Sequence, residues 1–370
     1  MNSKDNVTQL IRRDLLAVPG YAAPASLEEL QARFGARLVK VDQNENPYGC
    51  SPRVREALAR YEGYHAYPDV LSGEVRRLLA DYTGVPAERI VVGNGADEII
   101  ELTLRLLVEP GDRVINCPPT FGYYQFAAGI AGAVALPVNR RPDFSPDVAA
   151  IRAACAGPGG GERTKIVFLA SPNNPTGNLI AEDAVRRLLD SSALIVVDEA
   201  YVEFAERSLV PLTLEYENLV VMRTFSKWAG LAGLRAGYGI FPAALVPHLV
   251  KIKPPFNVNV AAQVAMKASL LDRPYLSGVI RRLIAERERL YGELGALDFL
   301  RPFPSQANFV FAHVRRGDAH HIKEQLEQEG ILVRVYGDPL LRNALRFSVG
   351  TPQQTDILIE HLRAIGRTLA

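Results

Sequence analysis

The chain has 370 residues, of which 48% are hydrophobic and 22% are charged, and its formal net charge is +1. This length exceeds one ordinary hydrophobic core, so a large domain and a smaller one are expected. Its near-neutral charge, without basic or acidic blocks, argues against nucleic acid or an anionic membrane as a partner. Three widely spaced cysteines favour a reducing compartment, so we expect a cytoplasmic protein.

Residues 1–45 are expected to form an N-terminal arm that partly joins the small domain. The arm contains a short helical pattern (Val7 to Ala17), a helix beginning at Ser26 and a short strand from Val39 to Gln43. The turn residues of NENPYG, Asn44 to Gly49, then end the strand pattern.

Residues 46–270 are expected to form the large domain, in which apolar strands alternate with helices. Strands are predicted at Ile90 to Val92, Val114 to Cys117, Val134 to Val138, Ile166 to Ala170, Leu194 to Val197, Leu219 to Met222 and Gly237 to Phe241. The alternation indicates the α/β class, with a mainly parallel sheet covered by helices on both faces. In such sheets ligands bind beyond the carboxyl ends of the strands.

Residues 271–370 are expected to form a small α+β domain. A long helical stretch from Ala261 to Leu297 leads into it. Its predicted strands are Asn308 to Val314, Leu332 to Tyr336 and Leu345 to Val349, and its predicted helices are Ala319 to Glu329 and Pro352 to Leu369.

Polar motifs follow the predicted strands of the large domain at their carboxyl ends. These motifs are GNGADE (Gly93 to Glu98), SPNNPTG (Ser171 to Gly177), DEAY (Asp198 to Tyr201) and TFSK (Thr224 to Lys227). The amine of Lys227 is suited to form a Schiff base with a carbonyl. Because Asp198 ends an apolar strand, its carboxylate needs a cationic partner. The start of the helix after Gly93 is suited to hold a single phosphate.

Two other kinds of site are disfavoured by the same motifs. Glu98 occupies the third glycine position of a GxGxxG pattern, which argues against a nicotinamide dehydrogenase. The six histidines form no HExxH motif, so no metal site is expected.

A Schiff-base lysine, a carboxylate for a pyridinium nitrogen and a phosphate seat together describe a site for pyridoxal 5'-phosphate. The segments NNPTG, VVDEAYVEF, TFSKWAGLAGLRAGYG and LRFSVGT, in this order and spacing, resemble the fold-type I aminotransferases that use this cofactor, and among them the histidinol-phosphate aminotransferases. The resemblance extends from about Tyr21 to the end of the chain. It implies a homodimer with composite active sites.

The resemblance also implies roles for residues around the cofactor ring. Lys227 would form the Schiff base and, after substrate binding, would carry the substrate proton. Asp198 would pair with the protonated ring nitrogen. Tyr201 and Asn174 would bind the ring hydroxylate, and Phe121 would stack on the ring face.

The same resemblance implies which residues bind the cofactor phosphate and which bind the anionic end of the substrate. The cofactor phosphate would be held by the backbone N–H groups of Ala96 and Asp97, the side chains of Thr224, Ser226 and Arg235, and Tyr67 from the partner subunit. The anionic end of the substrate would be bound by Arg346, with Arg334 as a second cation and the phenol of Tyr21.

The expected reaction is transamination of L-histidinol phosphate with 2-oxoglutarate, a step of histidine biosynthesis. An aromatic amino acid aminotransferase and a decarboxylase of a phosphorylated amino acid remain as alternatives with related chemistry. A ligand-sensing module of a transcription regulator is disfavoured, because the segment before Tyr21 is too short for a DNA-binding domain.

Overall fold

The computed structural model describes residues 7–17, 25–157, 164–205 and 207–369 of the chain. Its α-helices are Leu27–Phe34 (α1), Pro52–Arg60 (α2), Gly73–Thr83 (α3), Ala96–Leu107 (α4), Tyr123–Ile130 (α5), Val148–Ala156 (α6), Glu182–Leu189 (α7), Val246–Ile252 (α8), Val260–Leu271 (α9), Arg273–Gly295 (α10), Ala319–Gln328 (α11) and Pro352–Thr368 (α12). No helix in these ranges is long and apolar enough to cross a membrane.

The β-strands of the described residues form three sheets. They are Val39–Lys40 (β1), Ile90–Gly93 (β2), Arg113–Asn116 (β3), Val134–Pro137 (β4), Thr164–Ala170 (β5), Leu194–Asp198 (β6), Leu219–Thr224 (β7), Gly237–Ile240 (β8), Leu300–Pro302 (β9), Phe309–Val314 (β10), Ile331–Leu332 (β11), Arg334–Val335 (β12) and Ala344–Ser348 (β13). The largest sheet has the order β2-β8-β7-β6-β5-β3-β4.

Most neighbouring strands of this largest sheet run parallel. The pairs from β7 across to β4 are all parallel, whereas β8 is antiparallel to both β2 and β7. The α/β class with a mainly parallel sheet is therefore confirmed. All seven strands predicted from the apolar runs of the large domain are present, displaced by at most a residue or two at their ends.

Alternate residues of the central strands enter two separate hydrophobic cores. In β6, Ile195 and Val197 belong to one core and Val196 belongs to the other, and all three are fully buried. Helices α4, α5 and α8 supply the core on one face, and α3, α6, α7 and α9 supply the core on the other. Burial of each such side chain contributes about 1.5–3 kcal/mol to the stability of the fold. Packing on both faces of the sheet therefore fixes the positions of its strand ends.

The second sheet is antiparallel and has the order β12-β13-β10-β9. Helices α10 and α11 pack against its strands, and α12 packs against both of these helices. The third sheet is the pair β1 and β11, which are parallel, so a strand near residue 40 joins a strand near residue 331. The expected division into residues 1–45, 46–270 and 271–370 stays a prediction.

Four predicted elements differ from the observed ones. The helical pattern from Val7 to Ala17 is interrupted at Ile11 and Arg12, and Arg13–Ala17 forms a 3₁₀-helix.

The strand from Val39 to Gln43 ends at Lys40. Beyond it, the carbonyl of Val41 accepts the backbone N–H of Ser348, and the carbonyls of Asp42 and Gln43 accept side-chain hydrogen bonds from Arg346 and Lys227.

The predicted strand from Leu332 to Tyr336 is two short strands, because β11 pairs with β1 whereas β12 pairs with β13. The long helical stretch is interrupted at Asp272, where Pro274 lies in the first turn of α10. Proline lacks the N–H that a continuous helix would need at that position.

Candidate active site

Three of the sequence motifs follow neighbouring strands of the largest sheet. In the strand register Ala170 lies beside Asp198, and Asp198 lies beside Met222. The segments that follow β5, β6 and β7 therefore begin at one edge of the sheet, where the sequence places SPNNPTG, DEAY and TFSK. We call this edge the rim; it lies at the carboxyl ends of these parallel strands, as expected for a ligand site.

Lys227 lies just beyond the end of β7 and is partly buried. Its Nζ donates to the carbonyl of Gln43 at 3.1 Å. Burial, followed by the charge of Arg346, lowers the pKa of Lys227 to about 8. About a tenth of the amine is therefore unprotonated at pH 7, far more than for an exposed lysine, and a nucleophile or a base requires this form.

Asp198 is the last residue of β6, and it is buried. Its Oδ2 accepts a hydrogen bond from Tyr124 Oη at 2.6 Å, and its Oδ1 accepts one from the N–H of Ala200 at 2.9 Å. Burial raises the pKa of Asp198 to about 6, although both hydrogen bonds oppose this rise. No lysine or arginine in the described ranges forms a salt bridge with it, so the carboxylate is suited to a cationic group of a ligand.

Tyr201, Asn174 and Arg346 are joined around the same site. Arg346 Nη1 donates to Asn174 Oδ1 at 2.6 Å, and Arg346 Nη2 donates to the carbonyl of Asp42 at 2.5 Å. Tyr201 Oη accepts a hydrogen bond from Asn44 Nδ2 at 3.0 Å. The structure thus brings the predicted substrate arginine against the asparagine predicted to bind the cofactor.

Helix α4 begins close to Arg235 because two glycines allow the approach. A Cβ on Gly95, whose φ is +84°, would lie 2.8 Å from Arg235 Nη2. A Cβ on Gly237 would lie 2.5 Å from the backbone nitrogen of Ala96. The N–H groups at the start of α4 and the guanidinium of Arg235 consequently lie in one region, and Arg235 Nη2 binds Asp97 Oδ2 at 2.5 Å.

The hydroxyl groups after β7 are linked to each other. Thr224 Oγ1 donates to Ser226 Oγ at 2.9 Å and accepts from the N–H of Ser226 at 3.1 Å. Both residues are buried. An anion at the start of α4 would have these hydroxyls and Arg235 as further donors.

The ring of Phe121 packs edge-on against the ring of Tyr124, with 5.5 Å between ring centroids and 86° between planes. Tyr124 is the residue that donates to Asp198. Phe121 is thus linked to Asp198 through Tyr124, which contacts both residues.

Arg334 and Arg346 are direct partners across the strands β12 and β13. Directly opposed residues of an antiparallel pair project from the same face, so the two guanidinium groups belong to one surface. Arg334 is exposed, and its side chain forms no hydrogen bond or salt bridge with any described residue. Tyr21, the third predicted substrate residue, lies outside the described residues.

Tyr67 is 82% exposed, and its ring stacks on Phe256 with 4.4 Å between centroids. The loop that carries it is held by Gln263 Nε2, which donates to the carbonyl of Asp69, and by Lys253 Nζ, which donates to the carbonyl of Val70. No hydrogen bond joins Tyr67 to a described residue of the rim of its own chain. Its place in a shared site stays a prediction.

Sequence reasoning missed the segment 42–44 and Tyr124. Asp42 and Gln43 act through backbone carbonyls, and backbone contacts leave no residue-type signal. Asn44 stands in NENPYG, which indicates a turn but not its contact with Tyr201. Tyr124 lies two residues after the segment PPTFG, Pro118 to Gly122. Only its hydrogen bond in the structure shows that it faces Asp198. Among the described residues, no group of three or more His, Cys, Asp or Glu is placed to hold a metal ion.

Comparison with known proteins assigns this arrangement to a family. Residues 36–362 match the model for aminotransferase class I and II. The chain is 44% identical over 361 residues to a histidinol-phosphate aminotransferase of Dehalococcoides mccartyi, covering 98% of this chain and 99% of the relative. It is 43% identical over 371 residues to histidinol-phosphate aminotransferase 1, chloroplastic, of Arabidopsis thaliana, covering 98% and 88%.

A solved structure gives the same indication for the fold. The histidinol-phosphate aminotransferase of Sinorhizobium meliloti, in complex with pyridoxal-5'-phosphate, superposes with a TM-score of 0.87 at 27% identity and covers 97% of this chain and 98% of its own. An L-threonine-O-3-phosphate decarboxylase of Porphyromonas gingivalis superposes with a TM-score of 0.77 at 22% identity, covering 90% and 100%, which is a likeness of fold alone.

Proposed function

Since the chain belongs to the aminotransferase class I and II family, we propose that it is a pyridoxal-phosphate-dependent aminotransferase of histidine biosynthesis, which transfers the amino group of L-histidinol phosphate to 2-oxoglutarate. One observation of the structure carries this proposal. A partly buried amine, Lys227, and a buried carboxylate without a cationic partner among the described residues, Asp198, follow neighbouring strands at one rim.

The donor set of the rim fits pyridoxal phosphate. When bound, this cofactor is an electron sink that stabilises negative charge at the amino-bearing carbon of the substrate. Asp198 would hold the proton of the ring nitrogen, because a cation there offsets the cost of burying its charge. Lys227 Nζ would attach the cofactor covalently. Tyr201 and Asn174 would bind the ring hydroxylate, and Phe121 would stack on the ring.

The phosphate of the cofactor would lie at the start of α4. The N–H groups of Ala96 and Asp97 are unpaired by the helix there, and the helix dipole favours an anion at this end. Ser226, Thr224 and Arg235 would supply the remaining donors, as their positions beside α4 and after β7 allow.

Lys227 would also be the base that moves the proton of the substrate. With a pKa of about 8, its amine is free often enough near neutral pH to accept a proton and remains basic enough to take one from carbon in the activated substrate. Arg346 is one cause of the lowered pKa, so the group that binds the anionic end of the substrate also tunes this base.

The anionic end of the substrate would meet Arg346 first and Arg334 second. A guanidinium group pairs two oxygens of either a carboxylate or a phosphate. The cross-strand pairing of these arginines supports two cations at one end, which suits a phosphate monoester better than a single carboxylate. Tyr21 is retained as a third substrate residue.

The same proposal includes a homodimer in which Tyr67 reaches the cofactor phosphate of the partner subunit. It also includes a cytoplasmic location, and the division into an arm (1–45), a large domain (46–270) and a small domain (271–370). The aromatic aminotransferase remains the second candidate, because one arginine at the substrate end would suffice for it.

The test is a steady-state assay of the purified protein with added pyridoxal phosphate. Glutamate formation from 2-oxoglutarate is measured with L-histidinol phosphate, L-phenylalanine or L-tyrosine as donor, and carbon dioxide release is measured with O-phospho-L-threonine. We expect kcat/KM to be highest for histidinol phosphate. A higher value for phenylalanine or tyrosine would replace this proposal with the aromatic one, and carbon dioxide release would replace it with decarboxylation.

A further inference from the structure

Asn44 lies buried between Tyr201 and the sheet that carries Arg346. Its Nδ2 donates to Tyr201 Oη at 3.0 Å. Its backbone N–H donates to Ser348 Oγ at 2.8 Å, and its carbonyl accepts from Asn308 Nδ2 at 3.0 Å. Asn44 therefore joins the site tyrosine to residues at the ends of β10 and β13.

Ser348 binds the amide oxygen of Asn44, which leaves the NH2 group facing the phenol. Ser348 Oγ accepts the backbone N–H of Asn44, so its single proton is available for Asn44 Oδ1, which lies at 2.8 Å. The amide oxygen is thereby engaged, and the NH2 group faces Tyr201. Because the phenol oxygen accepts this bond, its own proton is free to be donated to a ligand.

The backbone of Asn44 shows how firmly this position is held. Its φ is 55°, in the left-handed region that few non-glycine residues occupy and that asparagine tolerates better than most. Such a conformation costs about 1 kcal/mol or more and persists where surrounding contacts fix it. Three hydrogen bonds to Ser348 and Asn308 do so here.

The same segment also holds Arg346. Arg346 lies two residues before Ser348 on β13, and its Nη2 binds the carbonyl of Asp42, two residues before Asn44. The phenol of Tyr201 and the guanidinium of Arg346 are thus positioned by one short piece of backbone. A displacement of β13 would therefore change the positions of both the phenol and the guanidinium.

We propose that Asn44 is a positioning residue for the reaction: its amide, oriented by Ser348, directs the hydroxyl proton of Tyr201 into the site and ties it to the strand that carries Arg346. This inference rests on the proposed function, in which Tyr201 donates to the ring oxygen of the cofactor. A donor at that oxygen stabilises its anionic form, so weakening the donor raises the pH at which the bound cofactor loses its proton.

The test uses the pH midpoint of the absorbance change of the bound cofactor and the Kd of pyridoxal phosphate. Asn44→Gly removes the amide and keeps the left-handed backbone without strain. Asn343→Gly is the matched control, because Asn343 also has a φ of 55° and its side chain binds Val314, Gly317 and Ala319 away from the rim. Tyr201→Phe and the double variant Asn44→Gly/Tyr201→Phe complete the cycle.

For Asn44→Gly we expect the midpoint to rise by about 0.5–1 pH unit and the Kd to increase about 5- to 10-fold, the size of one hydrogen bond. Tyr201→Phe should shift both quantities further in the same direction. The double variant should equal Tyr201→Phe, because Asn44 acts through the phenol. Asn343→Gly should lower the thermal midpoint and leave the spectroscopic midpoint unchanged.

The outcomes separate this inference from the proposed function. If Tyr201→Phe shifts the midpoint and Asn44→Gly does not, the role of Asn44 is wrong and the function stands. If neither variant shifts it, the role assigned to Tyr201 is wrong. Should Asn44→Gly fail to fold, Asn44→Asp keeps the shape and replaces the donor with an acceptor, and it must raise the midpoint for the inference to survive.

Discussion

Burial moves the pKa values of Lys227 and Asp198 toward neutrality from opposite sides. The amine falls to about 8 and the carboxyl rises to about 6, because each charged form loses hydration. Both groups are then able to exchange protons in the physiological range. Groups tuned in this way are characteristic of sites where protons are transferred.

The first prediction concerns covalent attachment at Lys227. Reduction of the cofactor-loaded protein with borohydride should trap a phosphopyridoxyl group on the peptide that contains Lys227, as mass spectrometry can establish. Lys227→Ala should retain cofactor binding but lose transamination by at least about 100-fold, since we place no other base among the described residues in reach of the proton. Lys251→Ala, at an exposed lysine of α8, is the control and should behave as wild type. A label on Lys165, Lys251 or Lys253 would contradict the assignment.

The second prediction concerns substrate choice at Arg334. Arg334→Ala should lower kcat/KM for histidinol phosphate by about 10- to 100-fold more than for phenylalanine, if one charge-assisted bond of about 1.5–3 kcal/mol is lost. Arg301→Ala removes an exposed arginine from β9 at the other edge of the same sheet and should change neither value. An equal loss with both donors would argue for the aromatic aminotransferase.

The residues found from the sequence are those whose side-chain chemistry is unusual for their position. Asp198 at the end of an apolar run and Lys227 after another are such cases. Gln43 and Asp42 could not be identified from the sequence, because their backbone carbonyls, and not their side chains, contact the site. Residue type carries no information about a contact of that kind.

At the scale of elements, the site depends on how closely α4 approaches β8. Gly237 on β8 lies against Gly95 and Ala96 at the start of the helix, and a Cβ there would meet their backbone atoms at 2.5–2.6 Å. Contacts this short with backbone atoms force a displacement. The position of the α4 N-terminus is thus set by a residue on a strand that is not adjacent to it in sequence.

The third prediction follows from this contact. Gly237→Ala should displace the start of α4, raise the Kd for pyridoxal phosphate by about 10-fold or more and reduce thermal stability, because overpacking against backbone costs about 1–3 kcal/mol. Gly233→Ala is the matched control, since a Cβ at Gly233 meets nothing within 4 Å. Unchanged cofactor affinity in Gly237→Ala would show that α4 does not hold the phosphate.

Elements were predictable where their pattern was long or strongly apolar. The strands β5, β6 and β7 are fully or almost fully buried, and their apolar runs identify them. The two-residue strands β1, β11 and β12 were not separable, because their existence depends on distant partners across two sheets. Local periodicity contains no information about such partners.

At the scale of the whole molecule, burial of the Glu203 carboxyl group lowers the stability of the fold. Its Oε2 is buried without a hydrogen-bond partner in the described part of the chain, and its Oε1 accepts a bond from Tyr82 Oη at 3.3 Å. Burial raises the pKa of Glu203 to about 7. Because the folded state retains this proton above the ordinary pKa of 4.5, stability is lost as the pH rises from about 4.5 to about 7.

The fourth prediction is that Glu203→Gln stabilises the fold at pH 8. The gain in free energy of unfolding, measured by urea titration, should be about 1–3 kcal/mol at pH 8 and should vanish near pH 4.5. Glu199→Gln is the contrasting variant. Glu199 Oε2 pairs with buried Arg223 at 2.8 Å, so its replacement should destabilise the protein at pH 8. A gain for Glu203→Gln that is independent of pH would contradict the ionisation argument.

The fifth prediction concerns assembly. Sedimentation should show a dimer at micromolar concentration, and Tyr67→Phe should weaken cofactor retention about 3- to 10-fold through the loss of one hydrogen bond between subunits. Tyr64→Phe lies in the same loop, and the Tyr64 hydroxyl donates to Leu58 O within its own chain, so it should leave retention unchanged. A fully active monomer would disprove the shared site.

Residues 42–44, which contact Arg346 and Tyr201, limit how early the site is able to form during synthesis of the protein. Asp42 and Arg346 are 304 residues apart in sequence, whereas the last strand of the largest sheet ends at Ile240. The ribosome therefore completes every strand of that sheet, together with Asp198 and Lys227, more than a hundred residues before β13 exists to order residues 42–44. A nascent chain is then able to possess Lys227, the proposed nucleophile, while it still lacks Arg346, the arginine proposed to bind the substrate, so we expect catalytic competence only after the last part of the polypeptide folds.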